Sequence, residues 1–300
     1  MQNPAERRAF WQLQFCVFLW GFTAILGKLI TLSATPLVVW RMALSTVMLA
    51  LLPSTVAGLR RLERRAVLRH SLAGAVIALH WLTFYASIKL ANASVAVACL
   101  ALGAVFAAMI EPLVTGRRHE RSELLLGVAA IPGVLLLIGG VPQGMLTGVL
   151  VGIVSAALTA LFSSMNRRFI NQDEDPGMVS LLQLGTGTLF LAAAGTLIFG
   201  PAETLLVPQA SDFGWLLLLA AVCTVLPFIL WLRTLHHINA FGTQLALNME
   251  PVYAIILAAL LFSEHEELTP TFYLGAVIIL ATVFLQPWLN RRRTERRPTD

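Results

Sequence analysis

The chain has 300 residues, of which 57% are hydrophobic and only 12% charged, and its mean hydropathy is +0.78. A soluble domain carries about 25% charged residues, so a water-soluble globular protein is excluded and the class is a polytopic membrane protein. The net charge of +5 does not argue for a nucleic-acid partner, because the basic residues cluster in short loops between apolar segments, where membrane orientation accounts for them.

The first ten residues, MQNPAERRAF, run straight into an apolar segment with no small-residue cleavage site before it, so no signal peptide is expected. A helical span needs about 20 apolar residues. Ten candidates follow in order: 11–30, 36–58, 67–88, 91–115, 122–140, 144–166, 177–199, 213–235, 240–262 and 271–289. The loops between them are too short to house a soluble catalytic or nucleotide-binding domain. Within the first segment, GFTAILGKL (21–29) imitates a phosphate loop, but it has one residue too many between its glycines and no Ser or Thr after Lys28. ATP is therefore not expected to power the protein from within this chain. Cys16, Cys99 and Cys223 all lie inside apolar segments and form no Cys-x-x-Cys pair, so neither a disulfide framework nor a zinc site is expected. No metal and no cofactor are expected.

Ten spans put the arginines on one side. Arg7 and Arg8 precede segment 1, five arginines between 60 and 69 follow segment 2, and Arg117, Arg118 and Arg121 follow segment 4. Arg167 and Arg168 follow segment 6, Arg233 ends segment 8, and five arginines between 291 and 297 follow segment 10. Lysine and arginine accumulate on the cytoplasmic side, so both termini are expected in the cytoplasm and the chain in the inner (plasma) membrane. Lys28 and Lys89 fall at the opposite face. Arg41 lies near the outer end of segment 2 and is read as structural, snorkelling to the surface or capping a neighbouring helix.

Trp11, Trp40, Trp215 and Trp288 lie near segment ends, as interfacial tryptophans do. Trp20 and Trp81 lie deep, packed in the core or lining a cavity. His80, Phe84 and Ser87 share one face of segment 3, and Trp81, Tyr85 and Ile88 the next. An imidazole beside a phenyl ring suits a flat organic substrate; a core histidine satisfied by a neighbouring helix is the equal alternative. Gly144, Gly148 and Gly152 open segment 6 at four-residue spacing, which lets helices approach closely inside the chain or at a dimer contact.

Segment 9 carries the sharpest signal. Glu250 comes about ten residues into an apolar run, near mid-bilayer, where a charge costs at least ~2.5–3.5 kcal/mol. It must face water, hold a proton or find a partner. Asn248 lies two residues before it and Gln244 a further helical turn back. Pro251 removes one backbone hydrogen bond and is expected to free a carbonyl near residue 247.

The stretches 92–127 and 239–275 are weakly similar: each opens Asn-Ala, runs through an apolar helix and a charged loop, and reaches a glycine, Gly127 or Gly275. With five spans per half, the second half enters the membrane inverted, and inverted repeats place substrate sites near the midplane. The halves are expected at 1–143 and 144–300. Glu111-Pro112 does not align with Glu250-Pro251; Glu111 falls near the membrane surface.

Ten spans in two inverted halves, Trp20-Gly21, Pro36 with Arg41, and Glu250-Pro251-Val252-Tyr253 followed by Glu264 resemble the drug/metabolite transporter superfamily, EamA type. The glutamate before Pro251 departs from the family's usual pattern, and the first half lacks the proline and the loop glutamate. Within the family the chain is most similar to the aromatic amino-acid exporters of the YddG type. The resemblance implies an all-α integral membrane protein of ten transmembrane helices, not an enzyme, that exports amino acids and related small metabolites by alternating access. The residues expected to line its cavity are Glu250, Asn248, His80, Phe84, Trp20, Gln244, Tyr253 and Trp81. The expected partners are a small-molecule substrate and the lipid bilayer, with the protein acting as a monomer. A multidrug antiporter trading protons for organic cations is the alternative.

Overall fold

The computed structural model describes residues 4–59, 62–116, 118, 121–169, 174–234 and 249–294. Among these, every regular element is helical. The helices are α1 Pro4–Leu29, α2 Ala34–Ala50, α3 Pro53–Leu59, α4 Arg64–Leu90, α5 Ala93–Leu100, α6 Gly103–Thr115 and α7 Arg121–Gly139, followed by α8 Leu146–Phe169, α9 Pro176–Phe199, α10 Pro201–Thr204, α11 Ala210–Ala220, α12 Leu226–Thr234, α13 Glu250–Phe262 and α14 Pro270–Thr294. A single π turn, Ala221–Val225, joins α11 to α12.

Among the described residues, six stretches are long and apolar enough to cross a membrane: Arg7–Leu29, Arg64–Leu90, Ala93–Thr115, Gln143–Phe169, Pro176–Phe199 and Ala210–Trp231. Gly127–Gly139, Glu250–Phe262 and Pro270–Thr282 are shorter apolar helices. Residues 240–248 of the expected ninth span lie outside the described residues. Leu113, Leu189, Leu197 and Leu260 project from the bundle, each more than two-thirds exposed, which suits lipid rather than water.

The expected second span, 36–58, is not straight. α2 stops at Ala50 and α3 leaves it at 95°. Pro53 at the first position of α3 has no N–H to give and its ring blocks continuation of the preceding helix. The bend is satisfied locally, because the buried Thr55 hydroxyl bonds the carbonyls of Leu49 at 2.6 Å and Leu52 at 2.7 Å. Other boundaries follow ordinary capping chemistry. Asn92 accepts from the Val95 N–H at the start of α5, and Asp175 from the Met178 N–H at the start of α9. Gly116 ends α6 in the left-handed conformation, φ 78°.

α4 packs on α8 and α9, α8 on α5 and α6, α1 on α12 and α13, α2 on α9 and α11, and α7 on α14. Gly148 and Gly152 serve packing inside the chain: a Cβ on Gly148 would stand 2.7 Å from the Ala91 Cβ, and one on Gly152 2.8 Å from the Ser87 hydroxyl. Gly144 faces open space.

The α7–α14 contact is backbone against backbone. A Cβ on Gly275 would lie 2.5 Å from both the Gly133 carbonyl oxygen and the Leu137 nitrogen. Gly275→Val should therefore cost about 1–3 kcal/mol through overpacking, read as a lower Tm in detergent. Gly214→Ala, on an open face of α11, should leave Tm unchanged or slightly raised.

Candidate functional site

Arg41 lies two turns into α2 and only 3% of it is exposed. The expectation that it snorkels to the surface is corrected: it points into the bundle, because partners wait for it there. Its Nε donates to the Thr224 hydroxyl at 3.0 Å and its Nη1 to the Tyr85 hydroxyl at 2.7 Å. The guanidinium carbon lies 3.7 Å over the Trp81 ring, a cation–π arrangement. Tyr85, fully buried, donates in turn to the Thr23 carbonyl of α1 at 3.4 Å. Thr224 sits in the π turn, and its hydroxyl donates to the Leu219 carbonyl five residues back at 2.9 Å. Such single π turns open the helical ladder and recur at functional sites.

Glu250, the first residue of α13, is half-buried, and its carboxylate interacts electrostatically with the Arg41 guanidinium. The charge that couples to it comes from α2 rather than from nearby sequence, and no ion pair joins the two among the described residues. Pro251 falls in the first turn of α13, where a missing N–H is harmless; the carbonyl of residue 247 and the side chains of Asn248 and Gln244 lie outside the described residues. Tyr253, one turn along, donates to Gln14 Oε1 of α1 at 3.2 Å. Gly21 permits that approach, since a Cβ there would stand 3.1 Å from the Tyr253 Cβ.

Aromatic rings adjoin the charges. Trp20 meets Phe228 and Trp231 edge-on at centroid distances of 6.3 and 6.1 Å, and Phe228 meets Trp81 at 6.3 Å. Trp81 therefore joins the Arg41 group to this cluster. The Trp231 indole N–H is buried with no hydrogen-bond partner among the described residues.

His80 and Phe84 turn the other way. His80 Nδ1 lies 2.9 Å from the Ser155 hydroxyl and 3.0 Å from its carbonyl on α8, and the Ser87 hydroxyl donates to the Gly148 carbonyl at 2.8 Å. That face of α4 binds α8, whereas the Trp81–Tyr85 face meets Arg41.

Polar links close the end of the bundle that carries Lys28 and Lys89. The fully buried Glu264 pairs with Lys28 at 2.7 Å and accepts from the backbone N–H groups of Ala93 at 3.1 Å and Ser94 at 2.7 Å, at the start of α5. Asn92 donates to Glu267 at 2.9 Å. Asp212, buried at the start of α11, accepts from the Thr31 N–H at 2.9 Å and hydroxyl at 2.7 Å, and Lys89 donates to the Ile30 carbonyl. At the opposite, arginine-rich end the buried His70 lies 3.2 Å from Glu174, and Glu111 pairs with Arg167 at 3.0 Å. A cavity of about 490 Å³ near the start of α1 is lined, among the described residues, by Arg7, Arg8, Trp11, Gln12 and Phe15. Its exposed arginines and tryptophan are the composition of a membrane interface, and it is remote from Arg41. No group of three metal-ligating side chains occurs among the described residues.

Of the sequence-predicted residues, the structure packs Trp20 and Tyr253 into one cluster on α1, links Trp20 to Trp81 through Phe228, places Glu250 at the start of α13, and sets His80 on the α8 contact with Phe84 one turn along. The sequence reading passed over Thr224, Phe228 and Trp231 and undervalued Arg41. Phe228 carried a usable signal, because it lies well inside an apolar span, whereas Trp231, two residues before Arg233, reads as an interfacial tryptophan.

A multi-helical apolar bundle with charged side chains in its interior has the build of a membrane transporter. The model of the EamA-like transporter family matches residues 10–139 and again residues 146–286, and the chain belongs to that family, within the drug/metabolite transporter superfamily. It is a multi-pass membrane protein. A solved crystal structure, described only as that of a "protein", is similar with a TM-score of 0.64 at 16% identity, over 95% of this chain and 98% of the other; at that identity it shows the fold alone. No curated protein matches the chain.

Removing the Glu264 carboxylate leaves Lys28 and two N–H groups unpaired. Glu264→Ala should lower stability by about 1.5–3 kcal/mol, whereas Ala at the exposed Glu266 should change it by less than about 0.5 kcal/mol. Thermal unfolding in detergent checks both.

Proposed function

We propose that the chain is a secondary transporter that exports amino acids, aromatic or other neutral ones, and related small metabolites by alternating access. The observation that carries this reading is the half-buried Glu250 carboxylate at the start of α13: it is electrostatically coupled to Arg41, and the neighbouring Met249 and Tyr253 pack with Trp20 around Leu13 and Val17 of α1. Intramembrane acids are costly and mark substrate or ion pathways. The carboxylate suits a substrate ammonium, and the rings of Trp20, Trp81 and Tyr253 suit its side chain. Asn248 and Gln244 would add polar contacts to the same end, with His80 and Phe84 forming the wall towards α8.

Ten spans in two inverted halves, 1–143 and 144–300, are part of the proposal. The double match of the family model supports it, and so does the packing. α4 lies on α8 as α12 lies on α1, and α5 and α6 lie on α8 as α13 lies on α1. The α2–α9, α5–α13 and α7–α14 contacts exchange into themselves when the halves are swapped. In this arrangement the Lys28–Glu264 end is closed, consistent with one state of a rocking cycle. Placement in the inner membrane with both termini cytoplasmic rests on the arginine distribution; the assignment to aromatic amino acids rests on the resemblance to their exporters and on the aromatic cluster.

Purified protein in liposomes, loaded with amino acids or with organic cations, tests the reading. Wild type should show saturable amino-acid counterflow, and Glu250→Gln should reduce it at least ~10-fold, as loss of a charged pair does. Flux of lipophilic cations with none of amino acids would instead establish the drug antiporter.

A further inference from the structure

Arg41 is the charge that the transport reading leaves without a task. It is held on three sides: by Thr224 through Nε, by Tyr85 through Nη1, and by the Trp81 ring beneath its plane. Tyr85 and Thr224 are themselves fixed, by the Thr23 and Leu219 carbonyls. The guanidinium is therefore preorganised, yet its partners are hydroxyls and a ring. Among the described residues no carboxylate forms an ion pair with it, and Glu250 acts on it through space only. A guanidinium carries five N–H donors and cannot lose its charge. Two of those donors have partners among the described residues, so this buried, fixed cation keeps donors to spare.

Resting on the reading of the chain as a small-molecule transporter, we propose that Arg41 is the specificity-determining residue for a substrate carboxylate, with Glu250 receiving the ammonium of the same molecule. The site takes zwitterionic amino acids. A buried guanidinium fixed by Tyr85, Thr224 and Trp81 with unused N–H donors suits the carboxylate of such a molecule, and the Glu250 carboxyl suits its ammonium. The planar guanidinium matches a carboxylate through paired N–H donors. Trp81, sharing its ring with Arg41 and its edge with Phe228, leads from the charged end to the aromatic cluster. The same geometry disfavours a simple cation at Glu250, because Arg41 repels it and no carboxylate compensates.

Counterflow in proteoliposomes with three probes tests this: phenylalanine, phenylalanine methyl ester and phenethylamine. The wild type should prefer phenylalanine over the other two by at least ~10-fold in kcat/KM. Arg41→Met should raise the phenylalanine KM at least ~10-fold while leaving phenethylamine flux undiminished. Arg41→Met with an unchanged phenylalanine KM overturns the assignment. If Arg41→Met does not fold, the wild-type ratio decides: ester or amine carried as well as the acid overturns it, and a preference for the acid supports it. Absence of flux for all three overturns the transport reading as well, whereas equal flux of all three overturns the role of Arg41 alone.

Discussion

A guanidinium inside a membrane protein cannot discharge itself, so the structure around it must supply what water no longer does. Arg41 is that fixed requirement here. Its two hydroxyl partners come from different helices, Tyr85 on α4 and Thr224 in the π turn, and its ring partner Trp81 sits one turn before Tyr85. Leaving a buried ion without hydrogen bonds costs several kcal/mol, which accounts for the departure from regular helix at Ala221–Val225: the π turn presents the Thr224 hydroxyl to Arg41 while its own proton goes to Leu219. One side chain thus ties α2, α4 and the α11–α12 turn together at the centre.

The ends of the bundle solve a different problem. Helix termini leave backbone groups unpaired, and here side chains distant in sequence pair them. Glu264 serves the first turn of α5 and pairs with Lys28 near the end of α1. Asp212 serves the turn after α1 at Thr31. Each link joins residues before 143 to residues after it, so this end closes through contacts that are few, polar and specific. They contrast with the backbone packing of Gly275 on Gly133 and Leu137. The α7–α14 seam is thus held backbone against backbone, and the polar end by side-chain links.

Much of the fold was legible because membrane insertion imposes a long, simple pattern. Apolar length located the six full spans, and the arginine clusters grouped one set of loops. The bend between α2 and α3 was not legible as a span boundary, although Pro53 marked it, because the apolar run continues on both sides of the proline. The site was legible in part. Glu250 declared itself by its cost in an apolar run, and Trp20 and Trp81 by their depth. Arg41 did not, since seven residues from a helix start is as compatible with snorkelling as with burial; only the arrival of Tyr85, Thr224 and Trp81 decides between them. His80 stood evenly between two readings, and its contact with Ser155 depends on which face of α4 meets α8, which periodicity alone leaves open.

The central claim is that Arg41 and Glu250 form one electrostatic unit in the bundle interior. A double-mutant cycle measures it directly, with the Tm and unfolding free energy of Arg41→Met, Glu250→Gln and the combined variant compared with wild type. The account predicts that the two changes are non-additive by at least ~0.5–1 kcal/mol, the double variant being more stable than the sum of the single losses. Additivity within about 0.3 kcal/mol would mean that the two charges do not sense each other, and would contradict the account.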